Sequence, residues 1–192
     1  MAAGRVRAML RWALESQAPI AIRYSRGGVT GEPLGRAPKI VLGKAEPLRQ
    51  GSDLTILAAG SVLYPALEAA TRLRQEGLDV GVVNARFIKP LDRVLLRQLA
   101  GQTGALITIE EAQVAGGFGS AVSEAWDEMG LPPIAHYRIG LSDQFVEHGK
   151  RSQLLRLCRL DAEGLTHRIA TWHSALKHSG DPAARAVAEP AE

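Results

Sequence analysis

The sequence predicts an α/β fold of three layers, with helices on both faces of a mostly parallel mixed sheet. Three observations carry that prediction. Thr55-Ile56-Leu57-Ala58-Ala59 is short, apolar and partly β-branched and ends at Gly60, the pattern of a strand covered on both faces. The stretch from about Val62 to Glu76 sets Leu63, Leu67, Ala70 and Leu73 near one face of a helix, with Glu68, Arg72, Arg74 and Gln75 elsewhere, and Gly77 stops it. Residues 79–87 return as a second strand, so strand, crossover helix and strand imply a right-handed parallel unit, with Ser61 placed to cap its helix.

The remaining elements follow in order. Val6, Met9, Leu10, Ala13 and Leu14 have helical spacing and predict a short amphipathic helix over Arg5 to Glu15. Pro19 to Tyr24 reads as a buried strand ending in the polar loop Ser25-Arg26-Gly27-Gly28. One helix and one strand cannot close a core of their own, so the chain is expected to begin inside a preceding domain. The Gly- and Pro-rich region 28–38 is then a connector. Ile40-Val41-Leu42 is a short strand candidate ahead of Lys44 to Arg49. After the central unit, Asp92 is positioned to cap a helix whose apolar face includes Val94, Leu95 and Leu99. Ala105 to Ile109 predicts a third strand, Ala121 to Met129 a helix ending at Gly130, and Pro133 to Ile139 a fourth strand. Two helices close the domain, about Lys150 to Cys158 and Ala162 to Leu176, the second capped by Asp161. Residues 177–192 are expected to form a disordered tail, because they lack apolar periodicity.

Composition excludes several classes of function. The formal net charge of +3 over 192 residues comes without any Lys/Arg block longer than two, which is not the basic stripe nucleic-acid binding needs. Three Phe, three Tyr and three Trp give no base-stacking platform. Cys158 is the single cysteine, so internal disulfides and cysteine zinc clusters are excluded, and its apolar neighbours predict a packed structural thiol. No apolar run reaches membrane-spanning length, and the cytoplasm is the expected location. Met1 to Leu14 is Arg-containing and acid-poor in the manner of a transit peptide, but its apolar spacing favours a domain helix.

Few residues offer chemistry. Glu110 and Glu111 are adjacent at a strand end, so their side chains point to opposite faces and cannot act as one dyad; a helix-end or interface contact is expected. Gly116-Gly117-Phe118-Gly119-Ser120 follows a strand and opens a helix, the context of a phosphate-cradling loop. Val122 stands where a dinucleotide fingerprint needs its third glycine, so close helix–sheet packing is the reading adopted. His136, His148, His167, His173 and His178 match no metal template. His148, in a polar loop, is the one histidine worth testing, with a surface contact expected. Arg23 and Arg26 bracket Tyr24-Ser25 at the carboxyl end of the expected strand, where open α/β sheets bind ligands. Their planar donors suit phosphate, and from these residues alone a ligand role and a surface ion pair both stand.

Several stretches resemble one family. Residues 19–27, Gly43-Lys44-Ala45-Glu46, residues 84–92 (Asn84-Ala85-Arg86-Phe87-Ile88-Lys89-Pro90-Leu91-Asp92), Glu110-Glu111 with the glycine loop, residues 139–149 and residues 160–165 occur in the order seen in the C-terminal part of the 1-deoxy-D-xylulose-5-phosphate synthase family. The resemblance covers roughly Val6 to Leu176. Arg86 to Asp92 and the Glu110 to Ser120 stretch are shared with the wider transketolase-like, thiamine-diphosphate-dependent group, including β subunits of 2-oxo acid dehydrogenases. Asp143-Gln144-Phe145-Val146-Glu147-His148-Gly149 and Asp161-Ala162-Glu163-Gly164 point to the synthase.

The resemblance implies that residues 1–27 end a pyrimidine-binding domain, 28–38 link, and 39–176 form a transketolase C-terminal-like domain. It implies a transferase that condenses pyruvate with D-glyceraldehyde 3-phosphate, with loss of CO₂, on thiamine diphosphate and Mg²⁺, for isoprenoid and thiamine precursor synthesis. Arg26 matches the arginine assigned to the aldehyde's phosphate, Arg23 is a second and more structural candidate, and Ser25 stands where the family usually has proline. The diphosphate- and Mg²⁺-binding motif and the cofactor-activating glutamate stretch are not among these 192 residues. The chain alone is therefore expected neither to bind cofactor nor to be catalytic. Its expected partners are the N-terminal and pyrimidine-binding domains or a complementing chain, in a homodimer when whole, with no nucleic acid and no membrane. The alternatives are a non-catalytic interaction module and a β-like subunit of a 2-oxo acid dehydrogenase.

Overall fold

The computed structural model describes residues 3–24 and 39–178. Five strands, β1 (Glu46–Arg49), β2 (Leu54–Ala59), β3 (Val80–Asn84), β4 (Ala105–Gln113) and β5 (Ala135–Leu141), form one sheet in the order β1-β3-β2-β4-β5. β2 to β5 run parallel, in registers such as Ile56 beside Val82 and Ile107, while β1 is antiparallel to β3. The helices are α1 (Ala3–Glu15), α2 (Leu63–Gln75), α3 (Arg93–Leu99), α4 (Phe118–Glu128), α5 (Arg151–Leu157) and α6 (Ala162–His178).

Alternation along the central strands feeds two cores. Leu54, Ile56 and Ala58 of β2 face α2 and α6, where Leu63, Ala66, Leu73, Leu165, Ile169 and Trp172 pack. Leu57 points the other way, to Leu96 and Leu99 of α3 and Val122, Ala125 and Trp126 of α4. A strand that serves both layers is buried on both faces, which is why β2 is a near-continuous apolar run, broken only by the buried Thr55. The helix ends follow the expected chemistry: Asp92 accepts from the Leu95 amide at 3.1 Å and Asp161 from the Gly164 amide at 3.0 Å. Gly77 leaves α2 with φ +88°, a conformation that favours glycine.

Three expectations are corrected. Ser61 does not cap α2: a 3₁₀ turn, Gly60–Val62, intervenes, and the Ser61 hydroxyl is engaged by Glu111 instead. Ile40-Val41-Leu42 is not a strand; Val41 and Leu42 are 48% and 57% exposed, and the chain joins the sheet at Glu46. Pro19 to Tyr24 is not a buried strand either. No strand of the sheet pairs with it, and of its residues Ile22 alone is half-buried while the others are exposed. An apolar hexapeptide becomes a buried strand only when neighbours supply its ladder. Arg26, the expected linker 28–38 and the tail from Ser179 lie outside the described residues. Among the described residues, no helix is long and apolar enough to cross a membrane.

The first helix has attachments its apolar spacing does not announce. Arg5 is buried and its guanidinium grips the Glu46 carboxylate at 2.5 Å and 3.2 Å, while Asn84 donates to the same group at 3.1 Å. Trp12 meets Phe87 edge to face, with centroids 5.4 Å apart. Leu10 and Leu14, expected on the packed face, are 44% and 85% exposed. Burial pushes the Glu46 carboxyl up, but the hydrogen bonds from Arg5 and Asn84 and the charges of Arg5 and Arg86 outweigh it and hold the group below its usual 4.5. Its ionised form therefore stabilises the fold above that value, and the contribution is lost as pH falls through the lower folded-state value. Glu46→Gln removes the carboxylate charge from the buried contact with Arg5; urea unfolding at pH 7 is expected to show a loss of about 3 kcal/mol, as for one partner removed from a buried pair.

Candidate functional site at the carboxyl end of the sheet

From β2 the chain crosses to β3 on one side, and from β3 it returns to β4 on the other side of β2. The crevice outside the carboxyl ends of β2 and β4 is thus the topological switch point, where open α/β sheets place ligands. Here that crevice is furnished by the chain's own charged groups.

Glu110 and Glu111 diverge as alternation requires. Glu110 is 4% exposed, and its carboxylate accepts from the amides of Phe118 at 2.7 Å and Gly119 at 2.8 Å, closing the N-terminus of α4. A carboxylate there satisfies orphan amides and meets the positive end of the helix dipole. The glycines are explained by the same approach. A Cβ on Gly117 would lie 2.3 Å from the Gln113 carbonyl oxygen and 2.4 Å from a Glu110 carboxylate oxygen, and one on Gly119 would lie 2.5 Å from Thr108 Oγ1. The loop that could have cradled a phosphate holds an internal anion.

Glu111 points to the opposite face. Its carboxylate accepts from Ser61 Oγ at 2.6 Å and from both Nη2 (2.6 Å) and Nε (3.1 Å) of Arg151, while the same Nη2 donates to Ser61 Oγ at 2.7 Å. This forked, charge-assisted geometry is the stronger kind of ion pair. Burial raises the Glu111 pKa, but Arg151, Ser61 and the nearby charge of Arg23 prevail and hold it below the usual range. Arg23, exposed, donates Nη2 to the backbone carbonyl of Glu111 at 2.5 Å. So one of the two arginines singled out in the sequence meets the switch point, and the other, Arg26, lies outside the described residues.

The loop after β5 is tied at its root, where Gln113 Nε2 donates to Asp143 at 2.8 Å. Beyond it Phe145 is fully exposed, and the His148 and Glu147 side chains, 3.9 Å apart, both stand in solvent. His136 is different. On β5 under α4, its Nδ1 lies 2.9 Å from Ser123 Oγ and its Nε2 3.1 Å from Thr108 Oγ1, and burial, with the charge of Arg138 adding, pushes its pKa down to about 4. Sequence reasoning passed it over because a single strand histidine carries no spacing signal; its partners come from two other elements. Cys158 is half-buried beside the core and burial raises its pKa, as suits a packed thiol.

The two remaining motifs form one clamp. Arg86, at φ +56°, donates to the carbonyls of Lys44 and Ala45, both at 3.1 Å. In return Lys44 Nζ and the Ala45 amide donate to Asp92, both at 3.1 Å. Residues 43–46 and 84–92 therefore carry structure rather than chemistry.

These residues do not fit a diphosphate cofactor or its metal. The α4 N-terminus is filled by Glu110, and among the described residues no group of three or more His, Cys, Asp or Glu side chains could hold a metal ion. A shallow hollow of about 20 Å³ between Leu57, Phe87, Leu91 and Phe118 is apolar and too small for such a group, and its one carboxylate, Asp92, is already engaged. Two outcomes are expected. Gly117→Ala should lower stability by about 2 kcal/mol or more in chemical unfolding, because the added methyl displaces backbone rather than a flexible side chain. For His136 the unfolded state binds a proton near pH 6.5 and the folded state near 4, so stability should rise by about 3 kcal/mol between pH 4 and 6.5 and stay level above it. His136→Gln should remove that rise.

Comparison with known proteins agrees with this architecture. The family described as "Transketolase, C-terminal domain" matches residues 43–165. The 1-deoxy-D-xylulose-5-phosphate synthase 1 of Geobacter metallireducens is 46% identical over 165 residues, 85% of this chain and 26% of that protein. The synthase of Thermus thermophilus is 49% identical over 173 residues, 90% of this chain and 27% of that protein. The chain thus spans about a quarter of the length of these relatives. Among solved structures, a split-gene transketolase, an inactive β4 tetramer, superposes with a TM-score of 0.79 at 36% identity, covering 88% of this chain and 54% of that one. A Pichia stipitis transketolase, at 22% identity and a TM-score of 0.52 over 71% of this chain and 19% of its own, shares the fold. The three-layer mixed sheet, the clamp of residues 43–46 on 84–92 and the helix closed by Glu110 are thus found in a chain that belongs to the transketolase C-terminal domain family.

Proposed function

We propose that this chain is the C-terminal portion of an enzyme of the 1-deoxy-D-xylulose-5-phosphate synthase type. That enzyme joins pyruvate to D-glyceraldehyde 3-phosphate with loss of CO₂. The observation that carries the reading is the 46–49% identity to proteins of that name over most of this chain. Thiamine diphosphate and Mg²⁺ supply the decarboxylation chemistry of such an enzyme, and in this reading their ligands come from other domains or another chain, since the described residues do not fit them. The part assigned to this chain is substrate binding and assembly. Arg26 takes the phosphate of the aldehyde, Arg23 supports it from the carboxyl end of β4, and the surface around the exposed Phe145 meets the remaining domains. The whole enzyme is a cytoplasmic homodimer in this reading.

A second reading is favoured by the split-gene transketolase: a module that assembles without catalysing. CO₂ release from labelled pyruvate separates the two. The purified chain is expected to be silent with both substrates, thiamine diphosphate and Mg²⁺, and to become active when mixed with the N-terminal portion of the Thermus thermophilus relative. Silence in the mixture, with a stable homo-oligomer of the chain in solution, supports the second reading. In the active mixture, Arg26→Ala should raise the KM for the phosphorylated aldehyde about tenfold or more and leave that for pyruvate within about twofold, the pattern of a lost charge-assisted phosphate contact.

A further inference from the structure

Apolar surface is left uncovered in two neighbouring places at the carboxyl end of the parallel strands. One is the loop after β5. Residues 142–150 are all exposed, with Phe145 and Val146 among them, yet the loop is fastened to β4 at both roots. Gln113 holds Asp143 at the first root, and Glu111 together with Ser61 holds Arg151 at the second. A Cβ on Gly149 would lie 3.2 Å from Leu154, so the returning strap already closes tightly on α5. Phe145 is thus presented outward by a loop whose ends are fixed.

The other place is residues 3–24. On α1, Arg7, Leu10, Arg11 and Leu14 recur at helical spacing and are all exposed, on the side of the helix opposite Arg5 and Trp12, through which it is attached. Tyr24 is exposed as well, beside Arg23. Arg23 is bound to the backbone carbonyl of Glu111, and the side chain of that same residue holds one root of the strap. A body that covers residues 3–24 therefore borders the strap. The chain spans about a quarter of the length of its curated relatives, so the remaining domains are large enough to be that body.

We propose that residues 142–150 are a docking strap whose Phe145 enters an apolar pocket on the N-terminal portion of the enzyme, the same body that covers the outer stripe of α1. This rests on the reading of the chain as the C-terminal portion of a synthase-type enzyme. A few aromatic anchors carry most of the energy of an interface, because a rigid ring covers a large area with few torsions to freeze. A strap tied at both ends has already lost freedom that a free loop would lose on binding. On α1, Arg7 and Arg11 flank the exposed leucines and Glu15 is the helix's one acidic residue, so the partner surface facing it is acidic.

Calorimetric titration of the full chain with the N-terminal portion of the Thermus thermophilus relative, shown to be folded, tests the proposal. Phe145→Ser should weaken binding about thirtyfold or more, the scale of a central aromatic anchor, with the melting temperature of the chain unchanged because the side chain is exposed. Leu14→Ser should weaken it about tenfold, and Arg151→Gln, which frees one root of the strap, about fivefold. Leu157→Ser, at an exposed leucine outside the strap, should leave it within about twofold. Equal losses for Phe145→Ser and Leu157→Ser mark unspecific apolar association and overturn the proposal. Loss with Leu14→Ser but not with Phe145→Ser places the partner on α1 alone and overturns it too. So does a homo-oligomer of the chain, seen by sedimentation, that Phe145→Ser dissolves while the titration is unchanged, since the occupant is then a second copy. If the unaltered chain does not bind at all, the reading of the chain as part of such an enzyme falls with the proposal. Binding that survives Phe145→Ser leaves that reading standing and removes the strap alone.

Discussion

The buried Glu110 carboxylate on the first turn of α4 is the contact on which the carboxyl end of the sheet is arranged. It closes the helix that covers one face of the sheet, and it requires glycine at 117 and 119 because the helix must approach the strand within the radius of a methyl group. It also decides what its neighbour does. With Glu110 turned toward α4, the alternation of an extended strand turns Glu111 toward Ser61 and Arg151, and so places a second carboxylate at the switch point. An anion site that a ligand could have used is spent on stability.

The fold was legible wherever one residue's neighbours are fixed by its own element. β2, β3, the helix between them, the Asp92 and Asp161 caps and the Gly77 stop all depend on local spacing, and they lie where the sequence puts them, except that β3 ends at Asn84, three residues short of the expected Phe87. What was not legible depends on distant partners. β1 is Glu-Pro-Leu-Arg, a poor strand by composition, and it exists because Glu46 meets Arg5 and Asn84 and because it needs one neighbour only. The same dependence on partners, in reverse, explains why Pro19 to Tyr24 is not a strand.

The candidate site follows the same division. Alternation foretold that Glu110 and Glu111 would not act together, and helix–sheet packing was the right account of the glycines. The helix-end contact expected of the two glutamates is the one Glu110 makes at the N-terminus of α4, while which of the two would make it is not written in spacing. Ser61 was misjudged because cap chemistry and anion-binding chemistry use the same hydroxyl. Arg151 carries no local signal at all; only the fold brings it to Glu111.

The buried pair of Arg5 and Glu46 has a mechanical consequence. α1 is fastened through Glu46 at the start of the antiparallel edge strand β1, and Arg23 is fastened at Glu111 of β4, so the intervening peptide joins two attachments about three strand spacings, or roughly 14 Å, apart. Two tethers on one short chain behave as a bivalent ligand: when one lets go, the other keeps it at high effective concentration and recapture is fast. A pull on Arg23 is thus shared between both fastenings and is carried into the edge strand as well as into β4. The peptide works as a tendon between the edge strand β1 and the interior strand β4.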